Sequence, residues 1–180
     1  MTGLRERELL DDRQVDEEDE DEDTQKDKYL TFRIGNEEYA IEIKHVTEIV
    51  GIQKITEVPE MLDFVKGVIN LRGNVIPVID VRARFQMKSR EYDDRTCVVV
   101  VNIEEMAVGL VVDTVNEVTS IPSDSIAPPP KFQKGAGCHF ICGMGKIGDS
   151  VKIILDIDKL LRDEEIVKVN SLAEQQDLNT

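Results

Sequence analysis

Three short stretches of the chain carry residue types that could perform chemistry, and the first lies in its C-terminal third. The stretch Gly143-Met144-Gly145-Lys146-Ile147-Gly148 matches the G-x-G-x-x-G pattern of dinucleotide-binding sites letter for letter. In such sites the glycines open a helix whose first backbone amides face a pyrophosphate. Here they lead into residues 149–155, a β-branched run that is typical of a strand. We therefore expect no nucleotide cofactor, and we expect the glycines to adopt positive φ angles in a hairpin.

The second stretch, Cys138-His139-Phe140-Ile141-Cys142, contains thiol and imidazole groups that could bind zinc or form a nucleophile and its base. A structural zinc site needs four ligands, and the only other histidine is His45, far upstream. On a strand, Cys138 and Cys142 would point to one face and His139 to the other. We interpret the cysteines as small apolar side chains. We expect no metal site, no catalytic residue and no enzymatic activity.

The third candidate is Arg72, in the stretch Gly67-Val68-Ile69-Asn70-Leu71-Arg72-Gly73, which precedes a second apolar run. A guanidinium is always charged, so Arg72 cannot fill a hydrophobic core. On a tight turn it would lose little freedom on binding, and it would offer several donors to a carboxylate or to backbone carbonyls. Two interpretations stay open: Arg72 contacts a partner, or it forms an internal salt bridge, for example with Asp80.

The elements that must position these residues are strands. Between residues 28 and 163, valine and isoleucine together number 35 and leucine only seven, and β-branched side chains favour a pleated sheet. Helices are predicted only at residues 59–66, where Pro59 suits a first helical position, and at residues 156–162, where Asp156 or Asp158 suits the N-cap. We therefore expect an all-β domain. Strands are predicted at residues 29–34, 39–43, 46–52, 67–71, 75–79, 97–103, 107–112, 115–121, 139–142 and 151–155.

The chain also resembles itself in three places. Residues 35–41 resemble residues 102–108 at an offset of 67, residues 46–49 resemble 115–118 at an offset of 69, and residues 75–81 resemble 151–157 at an offset of 76. The three matches occur in the same order, which indicates one β-module present twice. We expect two small antiparallel barrels of about five strands each, stabilised by an apolar seam between them.

Charge divides the chain into three parts. Residues 1–27 carry thirteen acidic and four basic side chains, including eight consecutive acids from Asp16 to Asp23. Mutual repulsion and the lack of apolar groups predict a disordered acidic tail there. Residues 28–163 are nearly balanced in charge and form the predicted globular domain. Residues 164–180 are predicted to be a C-terminal tail that could be partly helical.

Composition also bounds the location and the partners. The sequence contains no run of about 20 apolar residues and no secretory signal, and three cysteines are an odd number for a disulfide framework. We therefore expect a cytoplasmic protein without direct membrane insertion. A net charge of −15, 4% aromatic residues and no tryptophan argue against nucleic-acid binding, because phosphates would be repelled.

Several motifs together resemble those of the CheW family of bacterial chemotaxis coupling proteins. The most specific is Lys66-Gly67-Val68-Ile69-Asn70-Leu71-Arg72-Gly73 followed by Val75-Ile76-Pro77-Val78-Ile79-Asp80. The same family pattern includes residues 39–41 leading into 46–49, residues 108–113 leading into Val115, and Gly143-Met144-Gly145 before the last strand and residues 156–161. The likeness extends from about Tyr29 to Leu161, and the acidic N-terminal segment lies outside it.

The resemblance implies two intertwined SH3-like five-stranded barrels packed around a shared hydrophobic core. It also implies an adaptor without catalytic residues or cofactors. Proteins of this family join the cytoplasmic tips of methyl-accepting chemotaxis proteins to the regulatory domain of the histidine kinase CheA. A cytoplasmic chain of this kind is recruited to membrane receptor arrays through those partners.

Carried over residue by residue, the resemblance implies a receptor- and kinase-binding site at Arg72, Glu48, Val46, Gly67, Asn70 and Gly73. Gly67 and Gly73 would let the backbone bend closely, and Asn70 would satisfy turn amides. Val46 could instead be a core residue. Two rival functions stay open: a coupling protein of a non-flagellar receptor-kinase pathway, and a sensor that binds a small ligand between the barrels.

Overall fold

The structure, a computed structural model, describes residues 25–129 and 140–161. The elements of the first half are β1 Lys28–Ile34, β2 Glu37–Glu42, β3 Val46–Gly51, β4 Val65–Leu71, β5 Asn74–Asp80 and helix α1 Val81–Arg84. Those of the second half are β6 Cys97–Ile103, β7 Met106–Val112, β8 Thr114–Ser120, β9 Ile126–Ala127, β10 Ile141–Ile147, β11 Ser150–Leu155 and helix α2 Ile157–Leu161. Single 3₁₀ turns occupy Ile43–His45 and Ser123–Ser125. The prediction of a mostly β chain with a few short helices is confirmed.

The strands form two sheets, and each sheet contains strands from both halves of the chain. One sheet has the order β8-β1-β2-β11-β10-β9 and the other has the order β3-β6-β7-β5-β4. The first two strands of each half therefore pair with the later strands of the other half. Each sheet mixes the two copies of the module, so the halves of the sequence are interlocked rather than being two barrels in succession.

The internal repeat is visible in the strand pairing. Strand β1 corresponds to β6, with Lys28 matching Cys97 at an offset of 69, and β5 corresponds to β11, with Asn74 matching Ser150 at an offset of 76. Equivalent strand pairs also carry equivalent bulges, at Thr47 and at Asn116. The sequence matches at offsets of 69 and 76 thus join residues at equivalent positions of the two copies in the structure.

Two details of the predicted duplication were wrong. Ala40 pairs with Ile154, and Gly109 pairs with Val78, the equivalent of Ile154 in the other copy. Ala40 is therefore equivalent to Gly109, and residues 35–41 correspond to the second copy at an offset of 69 rather than 67. Moreover, β11 is parallel to β2, and β5 is parallel to β7, so neither barrel is purely antiparallel. A parallel pair needs a long crossover connection, and the exchange of strands between halves supplies it.

The main hydrophobic core lies between the sheets. It joins Phe32 and Ile41 of one sheet to Val99 and Leu110 of the other, and Leu160 of α2 is completely buried against it. Each sheet also has a smaller cluster of its own. The predicted shared core is therefore confirmed, and it is the seam that ties the two sheets together.

The predicted helix at residues 59–66 was wrong, whereas the one at the end of the domain is present. Phe64 accepts a hydrogen bond from the Asp80 amide at 2.8 Å, and Val65 begins β4. Pairing with β5 thus outweighs the helix-start signal of Pro59. In α2, the Asp156 carboxylate accepts a hydrogen bond from the Lys159 amide at 3.2 Å, as expected of an N-cap.

The glycines of the G-x-G-x-x-G stretch have two different roles. Gly148 has a φ of +58° in the β10–β11 turn, as predicted. Gly143 and Gly145 lie inside β10 without positive φ, so the expectation was wrong for them. A Cβ at Gly143 would lie 2.6 Å from Ile126, so the close approach of β9, which was not predicted, requires glycine there.

Some predictions fall outside the described residues. These are residues 1–24 of the predicted acidic tail, the whole predicted C-terminal tail at residues 164–180, and the side chains of Cys138 and His139. The domain boundaries at residues 27/28 and 163/164 stay predictions.

Candidate protein-interaction site

Arg72 lies at the tip of a two-residue hairpin between β4 and β5. Leu71 pairs with Asn74, and the two residues between them both have positive φ, +53° at Arg72 and +85° at Gly73. Positive φ at both positions is the signature of a type I′ turn. The Asn70 side chain accepts a hydrogen bond from the Gly73 amide at 3.0 Å, as predicted. The turn therefore holds the Arg72 backbone in one conformation before any partner binds.

The Arg72 guanidinium forms an ion pair with Glu48, at 2.8 Å from Nη2 to the carboxylate. The internal salt bridge that the sequence left open therefore exists, but its partner is Glu48 and not Asp80. Asp80 is buried, and its carboxylate accepts hydrogen bonds from the Arg82 amide and the Tyr92 hydroxyl. Arg72 remains 77% exposed in spite of the pair, so it can still contact another protein.

The ion pair also shows that the five-stranded sheet is strongly curved. Glu48 belongs to β3 and Arg72 follows β4, and these strands are the two edges of that sheet. The pair can form only because the sheet curls until its edges approach each other, as in a small barrel. Thr56 adds to the closure of the barrel at β4. Its amide donates a hydrogen bond to the Val68 carbonyl at 2.8 Å, and its carbonyl accepts one from the Val68 amide at 2.9 Å.

The remaining predicted residues divide between core and surface. Val46 is half-buried and packs against the main core, so the core interpretation of this side chain holds. Gly67 is buried with a φ of +146°, and a Cβ there would lie 2.0 Å from the Thr56 carbonyl oxygen. Gly67 therefore makes the barrel closure possible. Asn70, Arg72 and Gly73 are exposed together on the turn, with the half-buried Glu48 beside it.

Four exposed apolar side chains were not singled out from the sequence. Ile49 and Val75 are 42% and 69% exposed, and their equivalents in the other copy, Val118 and Val151, are 52% and 51% exposed. The internal repeat thus carries an exposed apolar pair on each sheet. All four lie in stretches that match between the copies, so the repeat itself was the signal that could have identified them.

The turns next to these apolar pairs differ in charge. The equivalent of Arg72-Gly73 is Gly148-Asp149, which joins β10 and β11. The equivalent of Glu48 on β8 is Glu117. One sheet therefore presents an arginine with its carboxylate, and the other presents two carboxylates. Two surfaces of similar shape and different charge favour two different partners.

A half-buried ion pair joins Arg82 of α1 to Asp113. The Asp113 carboxylate, between β7 and β8, accepts hydrogen bonds from Arg82 at 2.6 and 2.9 Å and from the Gly35 amide at 2.8 Å. Burial raises the pKa of Asp113, but the hydrogen bonds from Arg82 and Gly35 and the charges of Arg82 and Arg90 outweigh it and hold the pKa below 3.8. The ionised carboxylate thus ties α1 to the β1–β2 turn.

The part of the chain that the structure describes, residues 25–129 and 140–161, contains no group of three or more His, Cys, Asp or Glu side chains arranged to hold a metal ion. Its longest helix, α2, is far too short to span a bilayer.

Comparison with known proteins places the chain in a family. The family model described as the CheW-like domain matches residues 28–165 of this chain. The Klebsiella aerogenes protein named chemotaxis protein CheW is 40% identical over 146 residues, covering 81% of this chain and 88% of that relative. A Treponema pallidum protein of the same name is 33% identical over 147 residues, covering 79% and 86%. The crystal structure of the scaffolding protein TtCheW from Thermoanaerobacter tengcongensis matches with a TM-score of 0.70 at 35% identity, covering 77% of this chain and 94% of that one. The chain belongs to the CheW-like domain family.

Proposed function

We propose that this chain is a non-catalytic chemotaxis adaptor that couples methyl-accepting chemoreceptors to the histidine kinase CheA. The observation that carries the proposal is the exposed Arg72–Glu48 pair on a preformed turn, in a chain of the CheW-like family. Relatives named chemotaxis protein CheW and a structure described as a scaffolding protein support it. The adaptor works in the cytoplasm and reaches the membrane through its receptors.

The surface around Arg72 offers both polar and apolar contacts to a protein partner. The turn fixes the backbone of Arg72, so binding costs little further ordering of the chain there. Only one guanidinium nitrogen is bonded to Glu48, which leaves donors for a partner's carboxylate or carbonyl oxygens. Ile49, the next residue of β3, is also exposed, and its side chain lies on the opposite face of the strand from Glu48, where it offers a separate apolar contact.

An adaptor must hold two proteins at once, and the duplicated fold offers two surfaces. The apolar pair Ile49 and Val75 lies on one sheet, and the pair Val118 and Val151 lies on the other. We assign one surface to each partner, because the different charges of the adjacent turns would let each select its own protein.

The experiment is co-purification of the full chain with the kinase and a receptor cytoplasmic fragment. The proposal predicts a three-component complex that is lost when the chain is omitted. Binding of either partner only to the exclusion of the other would overturn the bridging role. Binding of neither, together with a thermal shift caused by a small molecule, would favour a sensor instead.

A further inference from the structure

A cavity on the six-stranded sheet carries a charge opposite to that of the whole chain. It has a volume of about 450 Å³ and lies where the β1–β2 turn, the loop after α1 and the start of β8 meet. Its lining includes Arg33, Arg90, Arg95, Asp113, Thr114 and Asn116. Three guanidinium groups and one carboxylate make it a basic cavity on a chain with a net charge of −15.

The one lining carboxylate does not cancel the arginines. Asp113 already accepts hydrogen bonds from Arg82 and from the Gly35 amide, and Arg90 lies only 3.2 Å away from the same carboxylate. Arg90 also forms an ion pair with Asp93 at 3.1 Å, yet its side chain remains 51% exposed. The exposed Arg95 side chain has no carboxylate within 4 Å among residues 25–129 and 140–161. The positive charge of the cavity is therefore available to a further anion.

Arg33 is held only loosely on the opposite side of the cavity. Its guanidinium lies 3.6 Å from Glu38 and is 49% exposed. Glu38 is engaged more closely by the Lys152 ammonium and accepts a hydrogen bond from Asn116. A carboxylate shared in this way leaves Arg33 free to turn toward a second acidic group.

The chain itself carries a segment of matching charge just upstream of this sheet. Asp16–Asp23 are eight consecutive acids, and Asp23 lies five residues before β1. Residues 25–27 are helix and turn rather than extended chain, so the reach is counted from Gln25. At about 3.5 Å per extended residue, Asp23 to Asp16 can lie about 7 to 31 Å from Gln25. Arg33 lies about 17 Å along β1 from Lys28 at a strand rise of about 3.3 Å per residue. The acidic segment is therefore long enough to reach the cavity.

The backbone immediately before β1 is compatible with this path. Asp27 has a φ of +62°, and its carbonyl accepts a hydrogen bond from the Ile121 amide at 2.8 Å. Residues 25–27 are a helical residue followed by a turn, so the chain just before β1 is not an extension of that strand. Because the segment is tethered, its effective concentration at the cavity is high.

We infer that the arginine cavity formed by Arg33, Arg90 and Arg95 binds the acidic segment Asp16–Asp23 of the same chain. The contact places a dense negative charge on the six-stranded sheet next to β8, whose exposed Val118 belongs to the second apolar pair. Docking of the segment would therefore lower the affinity of acidic partners for that sheet.

The test uses the full chain and backbone amide NMR shifts. The variant carries Asp16→Asn, Glu17→Gln, Glu18→Gln, Asp19→Asn, Glu20→Gln, Asp21→Asn, Glu22→Gln and Asp23→Asn, which keep the shape of each side chain and remove its charge. We expect shift differences between this variant and the unmodified chain at Thr114 and Asn116, and none at Asn70 or Gly73. Raising the salt from about 0.1 M to about 1 M, which shortens the Debye length from about 10 Å to about 3 Å, should remove most of the difference.

Two further variants distinguish a specific contact from general repulsion. Arg95→Gln in the full chain should reduce the shift differences at Thr114 and Asn116. Arg72→Gln, which changes another exposed arginine on the other sheet, should leave them unchanged. Equal effects of both variants would overturn the assignment. So would shifts that grow with protein concentration, since they would place the segment on a second copy of the chain.

Discussion

The Arg72 guanidinium reaches the Glu48 carboxylate at 2.8 Å although the two residues belong to opposite edges of the same sheet. An ion pair that is this exposed on one side contributes at most about 1 kcal/mol to folding. Stability therefore does not explain why a charged residue occupies a positive-φ position in a hairpin. The pair is better explained as a feature of the surface that a partner meets.

The first prediction concerns the charge of Arg72. Arg72→Glu should change the free energy of unfolding by less than about 1 kcal/mol, because the turn is solvent-exposed. It should weaken binding of the receptor fragment or the kinase at least about tenfold, since it replaces the donor with a like charge beside Glu48. Titrations with both partners measure the effect, and Lys88→Glu is a matched charge reversal away from the turn. Unchanged affinity for both partners would remove Arg72 from the interface.

The exchanged pair, Arg72→Glu together with Glu48→Arg, separates two roles. If Arg72 serves only to orient Glu48, the exchange should restore binding along with the ion pair. We expect binding to stay weak, because the guanidinium would then lie on β3 instead of the turn. Full recovery of affinity would argue for the orienting role.

The second prediction concerns the two exposed apolar pairs. Ile49→Lys with Val75→Lys should reduce binding of one partner at least about tenfold, because removing the ammonium groups from water at an apolar interface costs free energy. Val118→Lys with Val151→Lys should reduce binding of the other partner instead. Separate affinity measurements for kinase and receptor fragment check this reciprocity. Loss of the same partner in both variants would contradict the assignment of one surface to each.

The third prediction concerns barrel closure. Gly67→Ala should destabilise the fold by at least about 3 kcal/mol, because its Cβ would overlap the Thr56 carbonyl oxygen and its φ is unfavourable for alanine. Gly51→Ala is the matched control, since a Cβ there meets nothing within 4 Å. Urea unfolding of both variants measures the difference. Equal stability of the two variants would show that the Thr56–Val68 contact does not require glycine.

The fourth prediction concerns the half-buried carboxylate of Asp113. Asp113→Asn should cost about 3 kcal/mol at pH 7, because it leaves the Arg82 charge unpaired. Folding lowers the pKa of Asp113, so its ionised form stabilises the fold above pH 3.8, and this contribution is lost as the pH falls through the lower, folded-state pKa. The stability difference from the unmodified chain should therefore shrink on acidification. Asp94→Asn, at an exposed site, is the control, and a difference that did not depend on pH would contradict the mechanism.

Local patterns in the sequence predicted most strands and the Arg72 turn, because β-branched runs and glycine-containing turns are set by neighbouring residues. Intertwined barrels were expected only from the family resemblance, and the local patterns did not show which strands pair, since the pairing of β2 with β11 joins residues more than a hundred positions apart. The Arg72 partner was missed for the same reason, as Glu48 lies 24 residues away in sequence. The failed helix at residues 59–66 shows tertiary pairing overriding a local signal.

The claim that this chain couples receptors to the kinase is tested most directly by kinase autophosphorylation in the presence of receptor-containing membranes. The account predicts that the rate responds to the receptors only when the full chain is added, and that the chain with Arg72→Glu fails to restore the response. A receptor-dependent rate that is the same with and without the chain, at concentrations that saturate its binding to both partners, would contradict the account.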